Sequence, residues 1–168
     1  MIASSQARPM VAITAASTRD AEAILALQKL AYQSEATLYD DWSLPPLTQT
    51  IDSLHEEFTH SIVLKATLGE RIVGSVRARQ NGDVCAIGRL VVHPEVQGKG
   101  IGSQLLCSIE ARFVRVAKYE LFTGSKSEGN IRLYRRHGYT ITRTEPLSQT
   151  VSIVFMEKPG RSGLKLGS

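Results

Sequence analysis

Apolar and polar positions along the chain alternate between two periods. A short apolar run at Val11 to Thr14 reads as a first strand. Ile24, Leu25, Leu27 and Leu30 then recur at helical spacing, from a cap at Ser17 or Thr18 through about Gln33. Ser34 to Pro46 breaks the pattern. It is acidic and aromatic (Glu35, Tyr39, Asp40, Asp41, Trp42), ends in two prolines, and predicts an irregular loop of the kind that carries binding residues. Thr48 or Thr50 caps a second helix to about Phe58. Strands are predicted at Ile62 to Leu68 and Arg71 to Arg79, joined by the turn Leu68-Gly69-Glu70. Asn81-Gly82 is a hairpin signal leading into a strand that runs to Val92.

That strand ends in a β-branched run (Leu90, Val91, Val92), and His93-Pro94 stops it because proline has no N–H to give a ladder. Glycines follow at every second position (Gly98, Gly100, Gly102), with Lys99 among them. Ile101, Leu105, Leu106, Ile109, Phe113 and Val116 then form one face of an amphipathic helix. Tyr119 to Thr123 reads as a strand, and Ser127 caps a helix that Gly138 ends in the left-handed conformation. Thr140 to Thr144 and Val151 to Met156 form a last hairpin, its connection marked by Pro146. The order β-α-α-β-β-β-α-β-α-β-β predicts an α/β (mixed α+β) fold. Residues 10–158 are expected to form its single domain, with a flexible lead at 1–9 and a flexible tail at 159–168.

Composition narrows the function classes. The 168 residues are enough for one substantial core, and 42% hydrophobic with 21% charged is ordinary for a globular protein. No apolar run approaches the ~18 residues of a membrane span, and the first residues lack the apolar centre of a signal peptide. Cys85 and Cys107 are therefore expected as reduced thiols in the cytoplasm, and the four scattered histidines give no metal-ligand spacing. A net charge of +4 is a weak bias. The one dense basic cluster, Arg132, Arg135 and Arg136, lies on the helix before Gly138, so neither nucleic acid nor membrane is expected as a partner.

The stretch from Ala86 to Leu106 carries the chemistry. A glycine-rich loop between a buried strand and a helix is an anion site: free N–H groups and the positive helix end point outward, and glycine admits a phosphate close to the backbone. It is no P-loop, since Gly100 follows Gly98-Lys99 where Ser or Thr is required, and His93 stands where the first glycine belongs. It departs from the dinucleotide fingerprint as well. Ser103 takes the third glycine's place, five residues separate Val92 from Gly98, and Glu120 falls at the start of a strand rather than the end of one.

Gln97-Gly98-Lys99-Gly100-Ile101-Gly102 resembles the Gln/Arg-x-x-Gly-x-Gly/Ala loop of GNAT-type N-acetyltransferases. Asn130-Ile-Arg-Leu-Tyr134 through Gly138-Tyr139 resembles that family's second motif, and the resemblance covers roughly Val11 to Lys158. It implies the GNAT-type fold, a central mixed twisted sheet of about seven strands with about four helices. It also implies acetyl-coenzyme A as cosubstrate, no metal, and transfer to an amine of a small molecule or protein, by a chain that is free to dimerise. The coenzyme phosphates would lie on the N–H groups of Gln97, Gly98, Lys99, Gly100, Ile101, Gly102 and Ser103, near Arg136, and the pantetheine arm against Leu90, Val91, Val92 and Asn130. The Leu90 N–H would polarise the thioester carbonyl. Tyr134 would protonate the departing thiolate, a phenol of reference pKa ≈ 10 keeping its proton at neutral pH.

The general base departs from the family pattern. Ala86 stands where many members carry a strand glutamate, four residues before the oxyanion donor. Glu35 and Tyr39 in the early loop are the candidates for the task. Glu35, Asp40 and Asp41 beside Tyr39 and Trp42 would suit a cationic acceptor. Arg89 argues the other way, because it could recruit a carboxylate or simply pair with an acid. The rival to an enzyme is a non-catalytic coenzyme A-binding sensor or partner module. The missing acid at position 86 favours that rival, and Tyr134 with Asn130 favours the enzyme.

Overall fold

The computed structural model describes residues 10–161. The expected lead at 1–9 and the tail from 162 lie outside the described residues. Seven strands form one sheet in the order β1-β2-β3-β4-β5-β7-β6. They are β1 (Ala12–Ala15), β2 (Ile62–Leu68), β3 (Arg71–Asn81), β4 (Val84–Val92), β5 (Lys118–Gly124), β6 (Thr140–Pro146) and β7 (Ser152–Pro159). Every pairing is antiparallel except β4 with β5. The helices are α1 (Ala21–Tyr39), α2 (Pro45–Thr48), α3 (Ile51–His60), α4 (Ile101–Ala111) and α5 (Glu128–Arg136).

Successive strand residues point to opposite faces, and β2 shows where each face goes. Leu64 and Ala66 join Leu105, Leu106 and Ile109 of α4 in the main core, whereas Val63 joins Ala21 and Ile24 of α1 and Leu54 of α3. The helices therefore cover both faces of the sheet. Thr50 starts α3 by accepting a hydrogen bond from the Ser53 N–H.

Three local readings of the sequence need correction. The stretch from Ser34 is not irregular at its start: α1 continues to Tyr39 and ends at Asp40, a non-glycine residue at φ 50° whose N–H bonds back to Ala36 and Thr37. No breaker precedes Asp40, and burial of Ala36 and Tyr39, three residues apart, holds that last turn to the protein. Pro45 then opens the short α2 with proline in its first turn, giving a fifth helix where about four were expected. In the middle of the chain α4 stops at Ala111. The Arg112 and Phe113 N–H groups make three-residue bonds to Ile109 and Glu110, so Phe113 and Val116 enter the core from a turn rather than from the helix face. The final strand runs past the expected boundary to Pro159, and the Gly160 N–H donates to Ala117 O at 2.8 Å.

One pairing failure shapes the centre of the sheet. Strands β4 and β5 are in register only at Val84↔Lys118, Cys85↔Tyr119 and Ala86↔Glu120; beyond Ala86 they diverge, and β5 stays with β7. The resulting V opens toward the ends of β4 and β5, where α4 and α5 begin.

Candidate active site

On its other edge β4 is also broken. Ser75 faces Val91 and Arg77 faces Gly88, so Val76 alone opposes Arg89 and Leu90. This is a β-bulge, and Arg89 turns it with φ 51°, in the left-handed region that non-glycine residues seldom occupy. Leu90 consequently has no ladder partner on β3, and it lies beyond the part of β4 that pairs with β5. Leu90 thus stands outside both ladders, at the point of the V.

Two openings meet at Leu90. The first is a cleft of about 860 Å³ running from Leu90, Val91 and Val92 along the loop to Gly102 and Ser103, with Asn130, Arg132 and Arg136 of α5 opposite. Within the loop Gly98 (φ 76°) and Gly100 (φ 84°) both take the left-handed conformation, and a Cβ on Gly100 would meet no protein atom. Gly100 sits at the N-cap of α4, so the first N–H groups of that helix face the opening. Gln97 Nε2 holds the loop to the strand end by donating to Val92 O at 3.3 Å, and Ser103 Oγ contacts His137 Nε2 at 2.9 Å.

The second opening is a chamber of about 440 Å³ on the far side of Leu90. Leu44, Leu121, Phe122, Leu147, Val151 and Ile153 give it apolar walls, and Tyr32, Tyr39 and Tyr134 add phenols. Its charged residues are Glu35, Glu57, Arg77, Arg79 and Arg89. Tyr32, Glu35, Leu90 and Asn130 belong to both openings.

Tyr134 is buried, and burial pushes its phenol well above the usual tyrosine range, with Tyr32 and Glu35 nearby adding to the effect. Asn130, one turn earlier on α5, donates to Thr123 Oγ1 at 3.3 Å. The N-cap residue of α5, Ser127, does not cap with its side chain. Its hydroxyl instead donates to the Glu35 carboxylate at 2.6 Å and lies 3.3 Å from the Tyr39 hydroxyl, which accepts from the Lys126 N–H at 2.7 Å. This close approach depends on Gly124, where a Cβ would overlap the Tyr39 hydroxyl.

Arg77 lines the chamber and is buried among partners. It pairs with Glu57 at 2.7 Å and donates to Gln28 Oε1 (3.2 Å) and Gln49 Oε1 (3.0 Å), while Gln49 Nε2 donates to Glu57 at 2.6 Å. Burial lowers its pKa to about 10; the Glu57 carboxylate opposes that shift and the nearby Arg89 assists it. No ion pair involves Arg89 among the described residues.

Most residues singled out in the sequence converge here. Leu90, Val91, Val92, Gln97, Gly98, Gly100, Ile101, Gly102, Ser103, Asn130 and Arg136 line the cleft, while Tyr134 and Glu35 line the chamber. Lys99 does not line the cleft, because the turn between two left-handed glycines presents their backbone inward and leaves Lys99 exposed. Of the basic cluster, Arg132 and Arg136, four apart on one face of α5, reach the cleft and Arg135 does not. The acidic loop is also corrected: Asp40, Asp41 and Trp42 lie outside the chamber, Asp41 being taken up by Ser43 and Trp42 being 59% exposed. Sequence reasoning missed Tyr32 and the Arg77–Glu57 pair, and it read Ser127 only as a helix cap rather than as the partner of Glu35. Tyr32, Glu35 and Tyr39 stand at i, i+3 and i+7, a helical signal that reading α1 through Ser34 would have exposed. Among the described residues no group of His, Cys, Asp and Glu could hold a metal ion, and no helix is long and apolar enough to cross a membrane.

The profile of the Acetyltransferase (GNAT) family matches residues 22–139, and the chain belongs to that family. It is similar to the UPF0157 protein YqkA of Bacillus subtilis, at 27% identity over 142 residues. That match covers 84% of this chain and 41% of YqkA, so the chain spans well under half of that relative's length. Among solved structures it resembles the PaiA N-acetyltransferase of Thermoplasma acidophilum in complex with coenzyme A (TM-score 0.74, 17% identity, covering 89% of this chain and 99% of that one). It also resembles YncA of Salmonella typhimurium, a putative acetyltransferase with its cofactor acetyl-CoA (TM-score 0.71, 19% identity, covering 94% and 96%). At these identities the likeness is one of fold.

Proposed function

We propose that the protein is a cytoplasmic N-acetyltransferase that moves an acetyl group from acetyl-coenzyme A directly to a primary amine. The observation that carries this reading is the unpaired Leu90 at the junction of a glycine-lined cleft and a separate chamber. One substrate enters from each side and the reaction occurs where they meet. The coenzyme-bearing relatives support the same ligand for the cleft.

The cleft fits that ligand by its donors. The N–H groups from Gln97 to Ser103 would hold the pyrophosphate, with Arg132 and Arg136 supplying positive charge. Val91 and Val92, at the diverging strand end, offer backbone groups to the pantetheine arm, and Asn130 offers its amide. The thioester carbonyl then lies on the Leu90 N–H, a fixed donor that strengthens as charge develops on oxygen.

The amine nitrogen attacks the carbonyl carbon from the chamber side; the C–N bond forms and the C–S bond breaks. Glu35 takes the proton that the amine loses. Its carboxylate is held by Ser127 and stands on both openings, which offsets the missing acid at Ala86. Tyr134 gives its proton to the departing sulfur. Burial disfavours a thiolate there just as it disfavours a phenolate, so the two basicities rise together and the transfer stays feasible.

A non-catalytic coenzyme A-binding module is the second reading, favoured by Ala86 alone. Thiol release from acetyl-coenzyme A, followed with a panel of primary amines and mass spectrometry of the products, separates the two. The enzyme gives free thiol and acetylated amine in equal amounts; a binding module gives neither with any amine while still binding the coenzyme.

A further inference from the structure

We propose that Arg89 is the acceptor's anion anchor, and that the acceptor is an α-amino acid, or an amine of the same shape, with a free carboxylate and an apolar side chain. This rests on the acetyl-transfer reading and names its substrate class.

The charge pattern of the chamber is the starting point. Its two carboxylates are engaged, Glu57 by Arg77 and Gln49, and Glu35 by the Ser127 hydroxyl. Arg77 already pairs with Glu57 and donates to Gln28 and Gln49. Arg79 lies at the exposed end of the lining. Arg89 is different: it is half-buried, lines the chamber, and has no carboxylate partner among the described residues. A cation withdrawn from water without a counter-ion is costly, and a ligand carboxylate relieves that cost.

Position adds the second argument. Arg89 is held at φ 51° on the bulge, directly before the oxyanion donor Leu90. A carboxylate on Arg89 is therefore anchored next to the reacting carbonyl. In an α-amino acid a single carbon separates carboxylate from amine, which brings the amine to the same place. Glu35 stands ready on the amine side: it lines the same chamber as Arg89 and Tyr32, and both charges act on the Tyr32 hydroxyl. The side chain then faces Leu121, Phe122, Val151 and Ile153. A polycationic acceptor has no such complement, since Asp40 and Asp41 lie outside the chamber.

The test uses L-phenylalanine, L-leucine and L-methionine with their C-terminal amides as acceptors, and their N-acetylated forms as ligands. The first arm measures thiol release. Each free acid should exceed its amide by about tenfold or more in kcat/KM, the size expected of one charge-assisted contact. R89A should bring the acid down to its amide's level, chiefly through KM, and R89K should recover part of the difference. Amides reacting as fast as acids, or R89A slowing both equally, would overturn the proposal. The second arm is calorimetric titration of the N-acetyl acids and N-acetyl amides into wild type and R89A in the presence of coenzyme A. It reads recognition without turnover. Binding of N-acetyl acids that R89A abolishes, with no thiol release from any amine, would uphold the anchor and contradict acetyl transfer. No preference for acid over amide in either arm would contradict the anchor alone. Thermal melts of R89A and R89K confirm that both variants fold.

Discussion

The Ser127 hydroxyl donates to the Glu35 carboxylate at 2.6 Å, joining the start of α5 to the last turns of α1 across 92 residues of sequence. This contact fixes the acid of the chamber relative to the helix that carries Asn130 and Tyr134. Glu35→Gln should lower kcat by about 10²-fold or more, since it removes the base and keeps the shape. Ser127→Ala should cost less, about tenfold, because the carboxylate remains and only its orientation is lost. Steady-state kinetics on a reactive amine decides it. Equal losses in the two variants would make Glu35 a structural partner of Ser127.

Tyr134→Phe keeps the ring in the core and deletes the proton donor. The turnover number should fall by ~10²–10⁴-fold while coenzyme affinity changes little. Single-turnover measurement isolates the chemical step, and an unaltered rate there would exclude Tyr134 as the acid.

The strand, loop and helix that form the cleft were legible because each rests on local rules: β-branched residues before His93-Pro94, alternating glycines, then a helical apolar stripe. The same is true of Asn130 and Tyr134, which share a helix face by spacing alone. The bulge was not legible. Nothing local to Arg89 announces a left-handed residue, since the conformation is imposed by pairing Val76 against two residues of β4. The Arg77–Glu57 pair and the Ser127–Glu35 bond were hidden for a related reason: they join residues far apart in the chain. Polar composition around Ser34 suggested a loop, but burial of Ala36 and Tyr39 kept the segment helical and carried Glu35 to the site.

Arg77 gives a stability prediction. Its side chain is 6% exposed, whereas that of Glu57 is 38% exposed. Glu57→Ala leaves a buried guanidinium without its counter-ion and should destabilise by about 3 kcal/mol, the lower end for a broken buried pair because Glu57 is partly solvated. Arg77→Met should cost less, since it removes the buried charge and leaves Glu57 free to reach water. Urea unfolding of both variants checks the order, and a larger loss for Arg77→Met would reverse the assignment.

The two cysteines should differ sharply in reactivity. Burial, with Glu110 adding to it, pushes the Cys85 thiol up to about 12, so it stays protonated and shielded at neutral pH. Cys107 is exposed. Alkylation at pH 8 followed by mass spectrometry should modify Cys107 in the folded protein and Cys85 only after denaturation. Raising the pH toward 10 should still leave Cys85 unlabelled in the folded protein. Early labelling of Cys85 would mean that the centre of the sheet opens readily.

On the proposed reading, the loop from Gln97 to Ser103 holds the phosphates of acetyl-coenzyme A. Gly100 sits at φ 84° with no protein atom near its missing Cβ, so Gly100→Asp directs a carboxylate into the space where those phosphates would lie. Aspartate tolerates the left-handed conformation better than most residues, at a cost of about 1–2 kcal/mol, so the fold should survive. The deciding measurement is calorimetric titration of acetyl-coenzyme A into wild type and Gly100→Asp, with circular dichroism to confirm folding. The wild type should bind, and affinity should fall at least about a hundredfold in the folded variant. Equal affinity in the two proteins would contradict that reading.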